Sequence, residues 1–316
     1  MKVLIIDPDF ADLIADNLRR DFPGVDVHSA ADSAAGAQIA AQCDVMMLLA
    51  MHADNALFEN AEQLKWVQSF SAGVDKFLKM PSLDALPHLT NMRGIHGPQI
   101  GELTILFMIS LLRDFPGLIR QQDRHEWNRR AGRKLQGRSV TIWGLGAIGV
   151  EIARLSAAFG MTVNAVSRTE RDLDCITRWF TPEALEDAVS ETDFLIASAP
   201  ASPANIGRLD AGVFKAMHRD AYFVNIGRGN LVVEPDLIAA LEAGEIAGAA
   251  LDVASSEPLP PESPLWSLPN VIVTPHIAGM IEEYPDQIYP IVKANMARFL
   301  AGETDRMINR IDPAKI

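Results

Sequence analysis

The chain has 316 residues, 48% of them hydrophobic and 22% charged, the balance of a soluble globular protein long enough for two domains. Its net charge of −13 argues against a nucleic-acid or anionic-membrane partner, since both require a basic face, but leaves room for a small anionic ligand held by local cations. Its two cysteines, Cys43 and Cys175, stand in no metal-ligand or redox spacing, so neither a metal site nor a structural disulfide is expected.

The first residues enter a buried strand pattern at 3–6, without the layout of a signal peptide, and no apolar run is long enough to span a bilayer. A cytoplasmic location is expected. Phe10, Leu13, Ile14 and Leu18 make a helix face that stops before Pro23-Gly24. Strands follow at 45–49 and 64–70, which predicts a small parallel sheet covered by helices. This part has no glycine fingerprint. The segment after Gly101 reads as a buried apolar helix that Pro116 bends or ends. Its apolar surface exceeds what one domain needs, so a homodimer is expected.

A basic, polar stretch over 120–138 leads into Val140-Thr141-Ile142-Trp143-Gly144-Leu145-Gly146-Ala147-Ile148-Gly149. An apolar strand thus runs into Gly-x-Gly-x-x-Gly, and the stripe Ile148, Ile152, Leu155, Phe159 then marks a helix closed by Gly160. In such a fingerprint Gly144 allows the tight turn, Gly146 leaves room for phosphates and Gly149 lets helix and strand pack closely. The helix N-terminus adds free N–H groups and a partial positive charge. Strand 162–166 completes a βαβ unit.

The strand–helix alternation continues. Thr181-Pro182-Glu183 reads as a helix start with threonine as cap. Strands are expected at 194–197, 221–225, 247–253 and 271–274, with a helix through 237–241 closed by Gly244. The tail over 287–300 has helical periodicity and returns to the first domain, because the second sheet is already complete. The expected fold is α/β, with two Rossmann-like or flavodoxin-like parallel-sheet domains and the active site in the cleft between them. The domains are 1–95 with 284–316, for substrate, and 96–283, for the dinucleotide.

Ligands of open parallel sheets lie beyond the carboxyl ends of the strands. Arg228, Glu257 and His276 all fall at such ends. The three suit carbonyl reduction of a 2-keto acid. Histidine donates the proton, a carboxylate orients and charges the ring, and arginine holds the substrate carboxylate. Each alone also has a plain reading, as a packed histidine, a solvated loop acid or a surface ion pair.

The chain resembles the D-isomer-specific 2-hydroxyacid dehydrogenases over nearly its whole length. The resemblance rests on the glycine fingerprint, on Asn225-Ile226-Gly227-Arg228-Gly229, on Ala250-Leu251-Asp252-Val253 with Glu257-Pro258-Leu259, and on Pro275-His276-Ile277-Ala278-Gly279. It implies that Arg228, Glu257 and His276 are the catalytic trio and that Asp252 meets the nicotinamide side of the cofactor. It also implies that the backbone N–H groups of Ala72, Gly73 and Val74 receive the substrate carboxylate. The candidate cofactor contacts are Gly144, Gly146, Ala147, Ile148 and Gly149, then Ser167, Arg168 and Thr169, then Ala199, Pro200, Ile226, Gly227, Asp252, His276 and Gly279.

An acid normally ends the second strand of an NAD site, whereas this chain has Ser167-Arg168-Thr169-Glu170-Arg171 there with no acid at the expected spot, and Ser167, Arg168 and Thr169 suit a 2′-phosphate. NADP(H) preference is expected, with NAD(H) possible. The substrate is a small 2-keto or 2-hydroxy acid, either glyoxylate or hydroxypyruvate or a larger acid whose pocket Met51, Met280 and Tyr284 line. A nucleotide-sensing binding protein on the same fold is the alternative. His52 and His96 are left between structural and cleft-facing roles.

Overall fold

The computed structural model describes residues 1–83 and 88–311. The chain divides into two compact units, Met1–Ile95 with Ile281–Ile316, and His96–Met280.

In the first unit β1 (Lys2–Ile6), β2 (Asp26–Ala30), β3 (Val45–Leu48), β4 (Trp66–Ser69) and β5 (His88–Thr90) form a five-stranded parallel sheet in the order β2-β1-β3-β4-β5. Successive side chains of a strand point to opposite faces. Val3 and Ile5 therefore pack with Ile14 and Leu18 of helix Ala11–Asp21 and with Ile288 and Val292 of helix Tyr284–Leu300. Leu4 and Ile6 pack on the other face with Ala40, Leu57 and Phe58. Both faces are covered, which is why these strands read as continuous apolar runs.

In the second unit β6 (Ser139–Trp143), β7 (Thr162–Val166), β8 (Arg178–Phe180), β9 (Phe194–Ala197), β10 (Tyr222–Asn225), β11 (Gly248–Leu251) and β12 (Val271–Val273) form a seven-stranded parallel sheet. Its order is β12-β11-β10-β9-β6-β7-β8. The order reverses beside β6, so the strand that enters the glycine fingerprint borders the switch point where doubly wound sheets bind nucleotides. β10, β11 and β12 are neighbours, so the loops after them share one rim.

Two local details differ from the sequence pattern. The helix expected after Gly101 begins at Gly97, with Pro98 in its first turn, and ends at Leu112. Asp114, left-handed at φ 46°, then caps a second helix, Phe115–Asp123, through a 3.2 Å bond from the Gly117 N–H, so Pro116 opens a helix instead of bending one. Thr181 gives no side-chain cap: a single turn, Pro182–Ala184, precedes helix Leu185–Val189.

Candidate active site

The fingerprint turn is built by its own backbone. Gly144 has φ +100°, and a Cβ there would run into the backbone of Ala199; a Cβ on Gly149 would run into the Gly144 carbonyl oxygen. A Cβ on Gly146 would meet nothing within 4 Å. The structure therefore requires two of the three glycines for its own packing, and the third borders open space. Gly146 is also the N-cap of helix Ala147–Ala158 and supplies no capping side chain. Unclaimed helix N–H groups beneath an open glycine form the cradle that a pyrophosphate fits, and Ala147, Ile148 and Gly149 make the first turn of that helix.

The β7 end lies beside this turn, where the Gly144 N–H donates to Val166 O at 3.0 Å. Ser167 is half-buried, and Arg168 and Thr169 are exposed. Arg171, absent from the sequence-derived candidates, donates from Nη2 to the Leu145 carbonyl oxygen inside the fingerprint. The Arg171 guanidinium therefore reaches the glycine turn. Its only sequence signal is its place three residues beyond Arg168.

After β9, Ala199 is buried against Gly144 and Pro200 is exposed. After β10, the buried Asn225 ties down the turn that carries Arg228. Its Oδ1 accepts from the Gly227 N–H at 3.1 Å, and its Nδ2 donates to Arg228 O at 3.0 Å. Ile226 and Gly227 are buried within this turn. A Cβ on Gly229 would overlap the Ala254 carbonyl, so only glycine lets the Arg228 turn lie directly against the loop that carries Glu257.

The imidazole and the carboxylate meet: His276 Nδ1 lies 2.8 Å from Glu257 Oε2. Glu257 Oε1 accepts from the Ala254 N–H at 3.2 Å. Burial pushes the Glu257 carboxyl up, but the hydrogen bond and charge of His276, with help from Ala254 and the Arg228 charge, outweigh it and hold the group below its ordinary value. Both side chains are over two-fifths exposed, so the pair contributes orientation and charge more than stability. Arg228 Nη1 donates to Gly227 O at 2.6 Å.

Asp252 is almost wholly buried, and its carboxylate accepts from Thr274 Oγ1 at 2.6 Å and from the N–H groups of Ile277 and Ala278 at 2.9 and 3.0 Å. Gly279 packs against the ring of His96, which stands at the N-cap of helix Gly97–Leu112 without a side-chain capping bond.

In the first unit, the turn Ala50–His52 and the loop through Ala72, Gly73 and Val74 are tied together by Ala50 N–H donating to Ser71 Oγ at 3.0 Å. Asn91 Nδ2 donates to Ala72 O at 2.6 Å, and Val74 is buried. His52 Nε2 is 3.7 Å from Asp7 Oδ2. Tyr284 is buried, packs on Phe10 and donates its hydroxyl to Phe70 O, so it belongs to the core of this unit.

Residues 105–278 match the family model described as D-isomer specific 2-hydroxyacid dehydrogenase, NAD binding domain. The chain belongs to this family. The dehydrogenase is 32% identical over 246 residues to glyoxylate/hydroxypyruvate reductase A of Yersinia enterocolitica, covering 76% of its own length and 78% of the relative's. It superposes on a D-isomer specific 2-hydroxyacid dehydrogenase family protein of Aeromonas salmonicida with a TM-score of 0.89, at 31% identity and 99% coverage of both chains. The NADPH-dependent glyoxylate/hydroxypyruvate reductase of Sinorhizobium meliloti, solved with NADP and sulfate, gives a TM-score of 0.84 at 30% identity, again with 99% of both chains covered. The dehydrogenase is thus an NAD(P)-dependent oxidoreductase of the 2-hydroxyacid class.

Proposed function

We propose that the chain reduces a small 2-keto acid to the D-2-hydroxy acid and prefers NADPH. The observation that carries the reaction is the approach of His276 Nδ1 to Glu257 on the same rim as Arg228. With Nδ1 engaged by the carboxylate, Nε2 is the ring atom left to hand over a proton. Arg228 binds the substrate carboxylate through its guanidinium fork and draws electron density from the adjacent carbonyl. The N–H groups of Ala72, Gly73 and Val74 are proposed as further substrate contacts. A bound NADPH supplies the hydride for the carbonyl carbon. His276 delivers the proton to the carbonyl oxygen, and Glu257 holds the ring in place as the imidazolium is consumed. In the oxidative direction His276 takes the proton back.

NADPH preference is supported by Arg168 and Arg171 after β7, by Ser167 in place of an acid at the position that ends the strand, and by the NADP bound to the Sinorhizobium relative. NAD(H) serves at lower efficiency. The test is oxidation of NADPH and of NADH with glyoxylate, hydroxypyruvate and longer or branched keto acids. Turnover with NADPH is expected, and a clear advantage for NADH overturns the cofactor assignment. NADPH binding without turnover of any keto acid favours a nucleotide-sensing protein instead. In Arg168→Ala, kcat/KM for NADPH should fall by about 10–100-fold, the worth of one or two charge-assisted bonds, with little change for NADH.

A homodimer is also proposed. Helix Gly97–Leu112 buries Ile100, Ile105, Phe107, Met108, Leu111 and Leu112 within its own unit, yet leaves Leu106 and Ile109 exposed. Phe115 and Ile119 continue this apolar face, Trp127 is 92% exposed, and residues 122–134 are exposed throughout. Light scattering is expected to give twice the mass of one chain; a monomer at micromolar concentration rejects the proposal. No helix among the described residues is long and apolar enough to cross a membrane. The thiols Cys43 and Cys175 suit the reducing cytoplasm in which we place the enzyme.

A further inference from the structure

His276 does not reach Glu257 from relaxed backbone. It has φ +54°, the left-handed region that a side chain bearing Cβ adopts only where its surroundings over-determine it. Those surroundings converge on one residue. The Asp252 N–H donates to Asn225 O at 3.0 Å, which fixes Asp252 to the end of β10. Its carbonyl accepts the His276 N–H at 2.8 Å. Its carboxylate accepts Thr274 Oγ1, two residues before His276, and the N–H groups of Ile277 and Ala278, immediately after it. One buried side chain therefore holds the loop on both sides of His276, and no other residue type of this size offers three acceptor sites to a hydroxyl and two amides.

We propose that Asp252 is a positioning residue for His276: its carboxylate clamps residues 274–278 in the left-handed turn that delivers the imidazole to Glu257. This rests on the assignment of His276 as proton donor. It differs from the nicotinamide contact that the sequence resemblance implies for Asp252, since three of the carboxylate's roughly four acceptor sites are already taken by the loop. The positioning role predicts that Thr274, whose hydroxyl joins the site only through this clamp, shares the effect.

The variants Asp252→Asn, Thr274→Val and Thr274→Ser are compared with the parent full chain. An amide at position 252 turns an NH2 toward a backbone N–H or a hydroxyl and opens the clamp, while valine at 274 removes a single donor without changing charge. kcat for keto-acid reduction is expected to fall about 100-fold in Asp252→Asn, the scale of a misplaced catalytic group, and about tenfold in Thr274→Val. The serine variant should restore kcat to within about twofold, because it keeps the hydroxyl. The NADPH Kd, read by nicotinamide fluorescence, and the keto-acid KM should stay near the parent's in all three.

The ring itself is read without substrate, from the two-bond 1H–15N correlations of the His276 imidazole, assigned by their absence in His276→Gln. The parent should carry its proton on Nδ1, facing Glu257. Thr274→Val and Asp252→Asn should drift toward the mixed tautomers of a free histidine, and Thr274→Ser should not. A rise in NADPH Kd in Asp252→Asn, with kcat and the ring signals of Thr274→Val unchanged, overturns the proposal and returns Asp252 to the cofactor. Parent-like ring signals in both Asp252→Asn and Thr274→Val overturn it as well. A parent enzyme inactive on every keto acid counts against the proton-donor assignment alone, since the ring signals still report the clamp. Should Asp252→Asn fail to fold, Thr274→Val decides.

Discussion

Replacing His276 with alanine is expected to lower kcat for keto-acid reduction by about 10²–10⁴-fold, the range contributed by a positioned general acid, while the NADPH Kd stays within a factor of about two. The expectation follows from where the residue stands. His276 is exposed, its backbone is carried by Asp252 and its ring contacts Glu257, so its side chain supports no core packing and its loss should not perturb the glycine turn. Steady-state turnover with a saturating keto acid, alongside a fluorescence titration with NADPH, separates the two quantities. Turnover that survives the substitution would mean that another group, or water, protonates the carbonyl.

Glu257→Gln should cost less than His276→Ala, because glutamine still accepts a hydrogen bond from Nδ1–H but no longer favours the charged ring. The pH dependence has a definite sign. The Glu257 carboxyl is held below its ordinary value, so the carboxylate stays ionised through mildly acidic solution and is lost only as pH falls through that lowered value. An acid-side decline of kcat/KM set by Glu257 should therefore begin below the usual carboxylate range and be absent in the glutamine variant.

How much of this could be read from residue order depends on which forces leave a local trace. The interior strands β1, β3, β6, β9 and β10 are buried on both faces, and their apolar runs announce them. β2, β5 and β8, each at an edge of its sheet, leave no such run, whereas the edge strand β12 keeps one in Val271-Ile272-Val273. Asp-Val-His-Ser-Ala and Arg-Trp-Phe read as loop or helix start until a neighbouring strand pairs with them. The catalytic candidates were legible because strand ends are legible: Arg228, Glu257 and His276 each follow an apolar run in a parallel sheet. The clamp on His276 was not, since the donors to Asp252 arrive 22 to 26 residues later and only the β11–β12 register brings them to it. Arg171 escaped for a different reason. A long side chain reaches across 26 residues to one carbonyl, and nothing in the local pattern distinguishes it from a solvated arginine. The core contacts of Tyr284 left no trace either: its ring packs in the first unit and its hydroxyl reaches Phe70 O, 214 residues away in sequence.

The three glycines of the fingerprint should separate under mutation, and the separation is the sharpest test of the dinucleotide site. Gly144→Val forces a β-branched residue to φ +100° and into the backbone of Ala199. Gly149→Val forces side-chain atoms into the Gly144 carbonyl. Both should lower Tm or abolish soluble expression, whether or not any nucleotide is present. Gly146 differs in each respect: its backbone, φ −74° and ψ −166°, is open to any residue, and its added Cβ has no protein atom within 4 Å. Gly146→Val should therefore fold with a parent-like Tm. If the open space above it is where a pyrophosphate docks on the helix N–H groups, the valine displaces that group and removes about two charge-assisted hydrogen bonds, a loss of roughly 100-fold or more in NADPH affinity. Thermal denaturation with and without NADPH reads both consequences together, since a ligand that binds only the native state raises Tm. The parent should show a nucleotide-dependent rise, and Gly146→Val should show the parent's Tm with no rise at all. Parent-like stabilisation of that variant by NADPH would place the pyrophosphate elsewhere and leave the open glycine without a ligand to explain it.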